Sequence, residues 1–184
     1  HKMGWHASDT GHLRFDGVRV PARYLIGEEH KGFRMIMGNF NGERLAMSAL
    51  ALGFAEACHD EALSWARERK TFGAALIEHQ AIRHKLMDMR MRIASTQHWL
   101  DALGDRIDAG DEGADWVGNV CLLKNHSTQV MQANADAAVQ ILGGMGFMRG
   151  TASERIYREV KVMMIGGGAE EIMKELAARQ FGHP

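Results

Sequence analysis

Over three long stretches, the apolar residues of this sequence recur at the spacing of an α-helix. The first stretch runs from Ile36 to about Trp65. Its apolar residues include Phe40, Met47, Leu50 and Phe54. The next two are built in the same way, with Ile82, Leu86, Met89, Ile93, Leu100, Leu103 and Ile107, and then Val117, Cys121, Met131, Ala135, Ala138 and Leu142. A period of 3.6 residues places such side chains on one helix face. With short helices expected near 153–160 and 169–179, the pattern predicts an all-α, antiparallel helical bundle.

The composition supports this fold and excludes several classes of function. Hydrophobic residues make up 46% of the 184 residues, and the chain has 13 Met but only 2 Pro, as suits packed helices. A net charge of -1 gives no general attraction to nucleic acid or to an anionic membrane. No apolar stretch reaches the ~20 residues of a membrane span, so a soluble intracellular protein is expected. Cys58 and Cys121 lie in apolar helical contexts, which predicts buried free thiols.

The first 30 residues have a different pattern. Residues 11–26 partly alternate apolar and polar side chains, which predicts one or two strands ending at Pro21. The chain opens with "HKMGWHASDT", without an initiator Met, and is expected to be a piece of a longer protein. Strands without partners do not form a stable sheet. Residues 1–30 are therefore expected to be irregular, paired with another copy or packed on the bundle, which occupies residues 31–184.

Glu43 is a carboxylate on the apolar stripe of the first helix, in register with Phe40 and Met47. Burial there would remove water from the carboxylate and raise its pKa toward the range useful for a general base. The same position also suits a structural role, in which Glu43 pairs with a buried Arg or borders the core. The spacing alone leaves both interpretations open.

Three further segments combine glycine with residues that contact ligands. "ERKTFG" at 68–73 places two cations, a hydroxyl and an aromatic ring at a helix end, where they suit either the helix dipole or a phosphate and a flat ring. "QILGGMGF" at 140–147 and "GGG" at 166–168 hold more glycine than a cap or turn needs, which favours a ligand close to the backbone. None of the three lies in the strand-turn-helix setting of a GxGxxG site. Neither a zinc motif nor a GxSxG nucleophile motif is found.

Together these segments resemble the acyl-CoA dehydrogenase family over nearly the whole chain. "KMGWHASDT" and "FDGVRVPARYLIGEEHKGF" are similar to the end of that family's middle β-domain. "ARERKTFGAALIEHQAI", "QILGGMGFMRG", "ERIYREVKVMMIGGG" and "EEIMKELAARQ" are similar to successive landmarks of its C-terminal helical domain. The resemblance implies an FAD enzyme that oxidises a fatty or branched acyl-CoA to the trans-2-enoyl-CoA. A carboxylate removes the α-proton, and the β-hydrogen leaves as hydride to flavin N5.

The resemblance also implies partners and cofactor contacts. A homo-oligomer (dimer or tetramer) would pass electrons to electron-transferring flavoprotein, in a bacterial cytoplasm or a mitochondrial matrix. The residues that would face the FAD of a neighbouring subunit are Arg69, Thr71 and Phe72, with Gln80 nearby. Those that would lie along the adenosine and pyrophosphate of that FAD are Gln140, Gly143 and Gly144. Ala169 and Glu171 would lie beside the other flavin, at the N-terminus of the last helix, where N–H groups are free to bind an anion. Ala169 replaces the Thr usual there, which removes one hydroxyl contact.

The position of the base departs from most of the family. Most members carry the catalytic Glu at the position of Gly167, in a Tyr-Glu-Gly-Thr run, whereas this chain reads "GGGA". A minority, including the isovaleryl-CoA and long-chain enzymes, carries it on the first helix of this domain, in a motif similar to "GERL" at 42–45. The resemblance therefore implies Glu43 as the base. It further implies substrate or CoA contacts for Asn41, Arg44, Gly167 and Gly168, with the Gly167 N–H polarising the thioester carbonyl.

Three other interpretations remain open at this point. An acyl-CoA oxidase or a flavin monooxygenase on the same scaffold would differ in how its reduced flavin reacts with oxygen. A non-catalytic module that only oligomerises or binds acyl-CoA would lack both possible bases, and the presence of Glu43 argues against it. A piece of an enzyme could also be inert by itself. The chain alone is accordingly expected to be inactive, to self-associate and to bind FAD weakly or not at all.

Overall fold

The computed structural model describes residues 1–183 and consists mainly of six α-helices. Their bounds are α1 Gly32–Glu68, α2 Gln80–Asp108, α3 Ala114–Leu142, α4 Gly144–Phe147, α5 Ala152–Ile165 and α6 Glu170–Gln180. Within this described range, the only strands are β1 Lys70–Thr71 and β2 Ala74–Ala75, which pair antiparallel as a short hairpin. The predicted all-α bundle is confirmed, although α5 is longer than predicted and α4 was not predicted.

Helix α3 is the centre of the bundle, because α1, α2, α5 and α6 all pack against it. Near its start, the buried Trp116 donates from Nε1 to the carbonyl oxygen of Leu103, near the end of α2, at 3.0 Å. Leu45, in the first half of α1, packs against the same cluster. Farther along, the Asn134 Nδ2 faces the Ala55 carbonyl oxygen at 3.4 Å. Helices α1 and α3 therefore run in the same direction, and α2 runs antiparallel to both.

Helix α1 is buried mainly through small side chains. Its buried positions are Arg44, Ser48, Ala51, Leu52, Ala55, Cys58, His59, Ala62 and Ala66. The large apolar residues that define the predicted stripe are only partly covered, since Ile36 is 52% and Leu50 46% exposed. The buried Ser48, Ala51 and Ala55 each follow a residue of the predicted stripe by one position, which is a rotation of about 100° around the helix. The core therefore uses the small neighbouring face, on which α1 can approach α3 closely.

Cys58 and Cys121 are both buried and free, as predicted. Burial raises the pKa of the Cys58 thiol to about 12. Among the described residues, no helix is long and apolar enough to cross a membrane.

The strands predicted within residues 11–26 are absent, so that prediction is wrong. Residues 1–31 contain no helix or strand except a 3₁₀ turn at Ala22–Tyr24, and residues 6–31 are exposed throughout. The reason is that a strand needs a hydrogen-bonded partner, and the described part of the chain supplies none for this segment. The Trp5 backbone N–H donates to Glu159 Oε1 on α5 at 3.1 Å and ties the segment to the bundle. The alternative expectation of an irregular segment is confirmed, and only Gly4 and Trp5 of this segment are partly buried.

Candidate functional site

The three consecutive glycines form the connection between α5, which ends at Ile165, and α6, which begins at Glu170. Gly167 has a φ of +67° and Gly168 a φ of +118°, a region of backbone conformation that favours glycine. A Cβ atom on Gly167 would lie 2.8 Å from Met47 Sδ. Within residues 1–183, no backbone carbonyl accepts a hydrogen bond from the N–H of Gly167, Gly168 or Ala169. We call residues 166–169 the glycine turn; it is tight and carries free donors.

Arg44 joins helix α1 to the glycine turn. Its side chain is only 4% exposed, and its Nε donates to the Gly167 carbonyl oxygen at 3.0 Å. Its Nη1 donates to Asn41 Oδ1 at 3.1 Å, and its guanidinium carbon lies 5.7 Å from the centroid of the Phe40 ring. Three of the predicted substrate-site residues, Asn41, Arg44 and Gly167, therefore form one hydrogen-bonded unit, although Gly167 is 123 residues from Arg44 in sequence.

Lys124 on α3 holds the other side of the glycine turn and is not among the residues predicted from the sequence. The side chain is completely buried, and its Nζ donates to the carbonyl oxygens of Met164 at 2.9 Å and Gly168 at 2.7 Å. Burial lowers the pKa of Lys124, and the negative charge of Glu170 opposes that shift. Lys124 follows Cys121 by three residues on an apolar helix face. A charged side chain on an apolar helix face is the same sequence signal as that of Glu43.

Glu43 precedes Arg44 by one residue, and its side chain is exposed. The prediction of a desolvated carboxylate is therefore wrong for this chain, because the core uses the face of α1 rotated by about 100° from Glu43. The Asn39 Nδ2 donates to Glu43 Oε1 at 2.5 Å. Among the described residues Glu43 makes no ion pair, so the alternative of a structural pair with a buried Arg is not found either. Glu43 lies instead beside the contact between Arg44 and the glycine turn.

Helix α6 begins at the glycine turn and is held there by α3. The Glu170 carbonyl oxygen accepts from Asn125 Nδ2 at 2.9 Å, and its carboxylate accepts from Gln129 Nε2 at 3.1 Å. Ala169 is the N-cap residue and makes no side-chain capping hydrogen bond, as expected for a residue without a hydroxyl. The Glu171 side chain is exposed. The N-terminus of α6 is thus held by hydrogen bonds to Glu170, whereas no side chain caps it at Ala169.

The predicted cofactor residues that follow α1 lie on the β1–β2 hairpin and just after it. Phe72 is 100% exposed at the tip of the hairpin, with a φ of +52°. The Thr71 Oγ1 lies 3.3 Å from His79 Nε2, which fixes the hairpin against the start of α2. Arg69 and Gln80 are both exposed, and Gln80 is the first residue of α2. The hairpin therefore presents a cation and an uncovered aromatic ring that is free to pack on a flat ligand.

Gln140, Gly143 and Gly144 lie at the end of α3, at the same end of the bundle as the hairpin. The hairpin directly follows the end of α1, and α1 runs in the same direction as α3. All three predicted residues are exposed, and a Cβ atom on either glycine would meet no atom within 4 Å. The hairpin and this helix end thus offer one open surface, which we call the hairpin surface.

The structure places the predicted site residues in two separate groups. One group surrounds the glycine turn, and the other forms the hairpin surface. Arg44 lies within α1 and Arg69 directly follows its last residue, so the two residues are 25 positions apart along the helix. At 1.5 Å per residue this separation is about 37 Å. The two groups of one chain therefore do not line a single pocket.

Sequence and structure comparisons relate this chain to one family of proteins. Residues 30–182 match the model of the acyl-CoA dehydrogenase, C-terminal domain. The long-chain specific acyl-CoA dehydrogenase, mitochondrial, of Mus musculus is 35% identical over 186 residues, which is 98% of this chain and 41% of that protein.

Solved structures extend this similarity to the fold. A probable acyl CoA dehydrogenase from Mycobacterium abscessus superimposes with a TM-score of 0.94 and 43% identity, over 99% of this chain and 48% of that one. Butyryl-CoA dehydrogenase from Megasphaera elsdenii superimposes with a TM-score of 0.93 and 31% identity, over 100% of this chain and 47% of that one. The chain thus spans less than half the length of the relatives it matches.

Proposed function

This chain belongs to the acyl-CoA dehydrogenase family, and on that premise we propose that it forms the C-terminal part of an FAD-dependent enzyme that oxidises an acyl-CoA to the trans-2-enoyl-CoA. The observation that carries this proposal is the hydrogen bond from Arg44 Nε to the Gly167 carbonyl oxygen. It joins the two segments at which the sequence resemblance predicts a base in different members of the family. A carboxylate on either segment would therefore serve the same substrate carbon.

In this proposal Glu43 is the general base. Its carboxylate takes the proton from the α-carbon of the thioester, and the electron pair of that C–H bond becomes the α,β double bond. FAD, when bound, would supply the acceptor for the β-hydrogen and its electron pair. The Asn39 amide, which donates to Glu43 Oε1, holds the carboxylate in one orientation on the helix surface.

The glycine turn supplies donors for the thioester carbonyl. Its N–H groups have no backbone partner in the described structure, so they are available to an oxygen of a ligand. Fixed N–H donors stabilise the negative charge that develops on the carbonyl oxygen as the α-proton leaves. Arg44 is buried and holds the turn through Gly167, whereas the half-buried Asn41 is the proposed contact for the CoA portion.

Two surfaces would hold FAD, one from each of two chains. The exposed Arg69, Phe72 and Gln80 and the open glycines Gly143 and Gly144 suit a pyrophosphate and a flat ring, and so support the proposed cofactor role of the hairpin surface. Thr71 and Gln140 complete that proposed set. Ala169 and Glu171 lie with the glycine turn and would border the flavin of the second site. Because the two surfaces of one chain are about 37 Å apart along α1, each cofactor would need residues from two copies.

We therefore expect the chain to self-associate, as a dimer or a tetramer. Closed symmetric assemblies bury matched surfaces of identical chains, and a shared cofactor surface requires such contact. Sedimentation velocity at increasing protein concentration should show a species larger than the monomer. A strict monomer over the whole concentration range would contradict this expectation.

The direct test of the proposed function is the flavin spectrum of the gene product that carries this segment. We expect FAD to copurify, and anaerobic addition of one member of an acyl-CoA panel should bleach its visible absorbance. Electron-transferring flavoprotein should then restore the absorbance, which identifies the acceptor proposed for the cytoplasm or the mitochondrial matrix. Rapid reoxidation by oxygen would instead indicate an oxidase or a monooxygenase. Failure to retain FAD or to be bleached by any acyl-CoA would contradict the proposal.

A further inference from the structure

Lys124 is the one charged residue with 0% exposure among residues 1–183. Its ammonium donates to the carbonyl oxygen of Met164 at 2.9 Å, in the last turn of α5, and to that of Gly168 at 2.7 Å, just before α6. Burying an ammonium group costs free energy unless its donors are satisfied. The two hydrogen bonds of Lys124 offset this cost and connect the two sides of the glycine turn.

Planar peptide geometry connects this contact to the donors of the turn. In a trans peptide, the C=O and the N–H of the next residue point in opposite directions. The Gly168 carbonyl oxygen points at Lys124, so the Ala169 N–H points away from it. The Gly167 carbonyl oxygen points at Arg44, so the Gly168 N–H points away from that cation. Two buried cations thus set the orientation of two successive peptide planes whose N–H groups have no backbone partner within residues 1–183.

The charges around Lys124 fit this arrangement. Glu170, at the start of α6, favours its charged form, whereas Arg44 and burial disfavour it. Glu170 itself is held by Asn125 and Gln129 from the same helix as Lys124. The ammonium group is therefore part of a connected set of polar residues on α3 that fixes the entry to α6. Gly168, with a φ of +118°, depends on such fixing because glycine has the freest backbone.

We propose that Lys124 is a positioning residue, which acts through the Met164 and Gly168 carbonyls to hold the N–H groups of the glycine turn toward the acyl thioester. This inference rests on the proposed function of the turn. Lys124 does not touch the substrate. Its removal would let the two peptide planes rotate, so that the carbonyl of the thioester loses part of its stabilisation in the transition state rather than in the bound ground state.

The test is Lys124→Met in the complete flavoprotein, because Met keeps the length of the side chain and removes every donor. We expect turnover to fall by about tenfold to a hundredfold, somewhat less than the loss of a whole oxyanion donor, with little change in KM. Difference infrared spectra of bound acyl-CoA, isotope-labelled at the thioester carbonyl, should show a weaker red shift than in the wild-type enzyme. A merely structural lysine would not change that carbonyl frequency.

Val130→Ala is the matched control, since Val130 is buried on the same helix in a cluster away from the turn. It should lower thermal stability and leave turnover and the carbonyl frequency unchanged. If Lys124→Met does not fold, Lys124→Gln, which has a shorter side chain, no charge and two N–H donors in place of three, carries the same test. A folded variant with unchanged turnover and carbonyl frequency would overturn the inference, as would failure of both variants to fold. If the wild-type enzyme itself shows no reaction with any acyl-CoA, the proposed function fails instead.

Discussion

Glu43→Gln should lower the rate of acyl-CoA oxidation by ~10²–10⁴-fold, the contribution that a general base typically makes. Gln retains the shape of the side chain and an oxygen that can accept from the Asn39 amide, but it cannot take up the α-proton. Binding of acyl-CoA should change little, because the contacts of Asn41 and the glycine turn are untouched. The measurement is flavin reduction in a stopped-flow experiment, together with a titration of acyl-CoA binding to the oxidised enzyme.

Glu56→Gln is the control for that experiment. Glu56 is also exposed on α1, but it lies more than three turns farther along the helix from the Arg44 contact. The control variant should reduce its flavin at the wild-type rate. Near-normal reduction in Glu43→Gln, with a good substrate, would show that Glu43 is only a solvated surface carboxylate and that the base lies elsewhere.

Moving the carboxylate to residue 167 should restore part of the activity lost in Glu43→Gln. Most of the family is predicted to carry its base there, and the hydrogen bond from Arg44 Nε to the Gly167 carbonyl oxygen places the two positions side by side. The double variant Glu43→Gln/Gly167→Glu should therefore be about tenfold faster than Glu43→Gln alone, a fraction of what a base contributes. Anaerobic flavin reduction measures this gain.

The recovery should be partial for two reasons visible in the structure. Gly167 has a φ of +67°, which costs a residue with a Cβ atom conformational energy, and that atom would lie 2.8 Å from Met47 Sδ. Adding Met47→Ala removes the steric contact and should increase the recovery. The matched control is Glu43→Gln/Gly167→Gln, since Gln has the same shape as Glu but cannot act as a base. Equal rates for Glu and Gln at residue 167 would contradict the idea of a shared site.

The helical bundle was predictable because helix formation and apolar periodicity are local properties. Leu86, Met89 and Ile93 were assigned to one face of α2 from their spacing alone, and all three are buried. The same reasoning was wrong on α1, where the residues in register with Glu43 are large and apolar yet only partly covered. Periodicity gives the angle of a stripe around the helix, but not which of two neighbouring stripes the other helices cover.

The sequence by itself determined the fold class, the order of the helices and the segments that are candidates for a site. These properties depend on residues within a few helical turns of one another. They also depend on the conformational freedom of glycine, which follows from the residue type alone. Only the tertiary structure decided that Arg44 and Lys124 hold consecutive carbonyls of the glycine turn, that Glu43 faces solvent beside them, and that the hairpin surface lies at the far end of α1. These facts depend on contacts between residues 40 or more positions apart, which are set by the rotation and offset of packed helices. A pattern along one helix carries no information about either quantity.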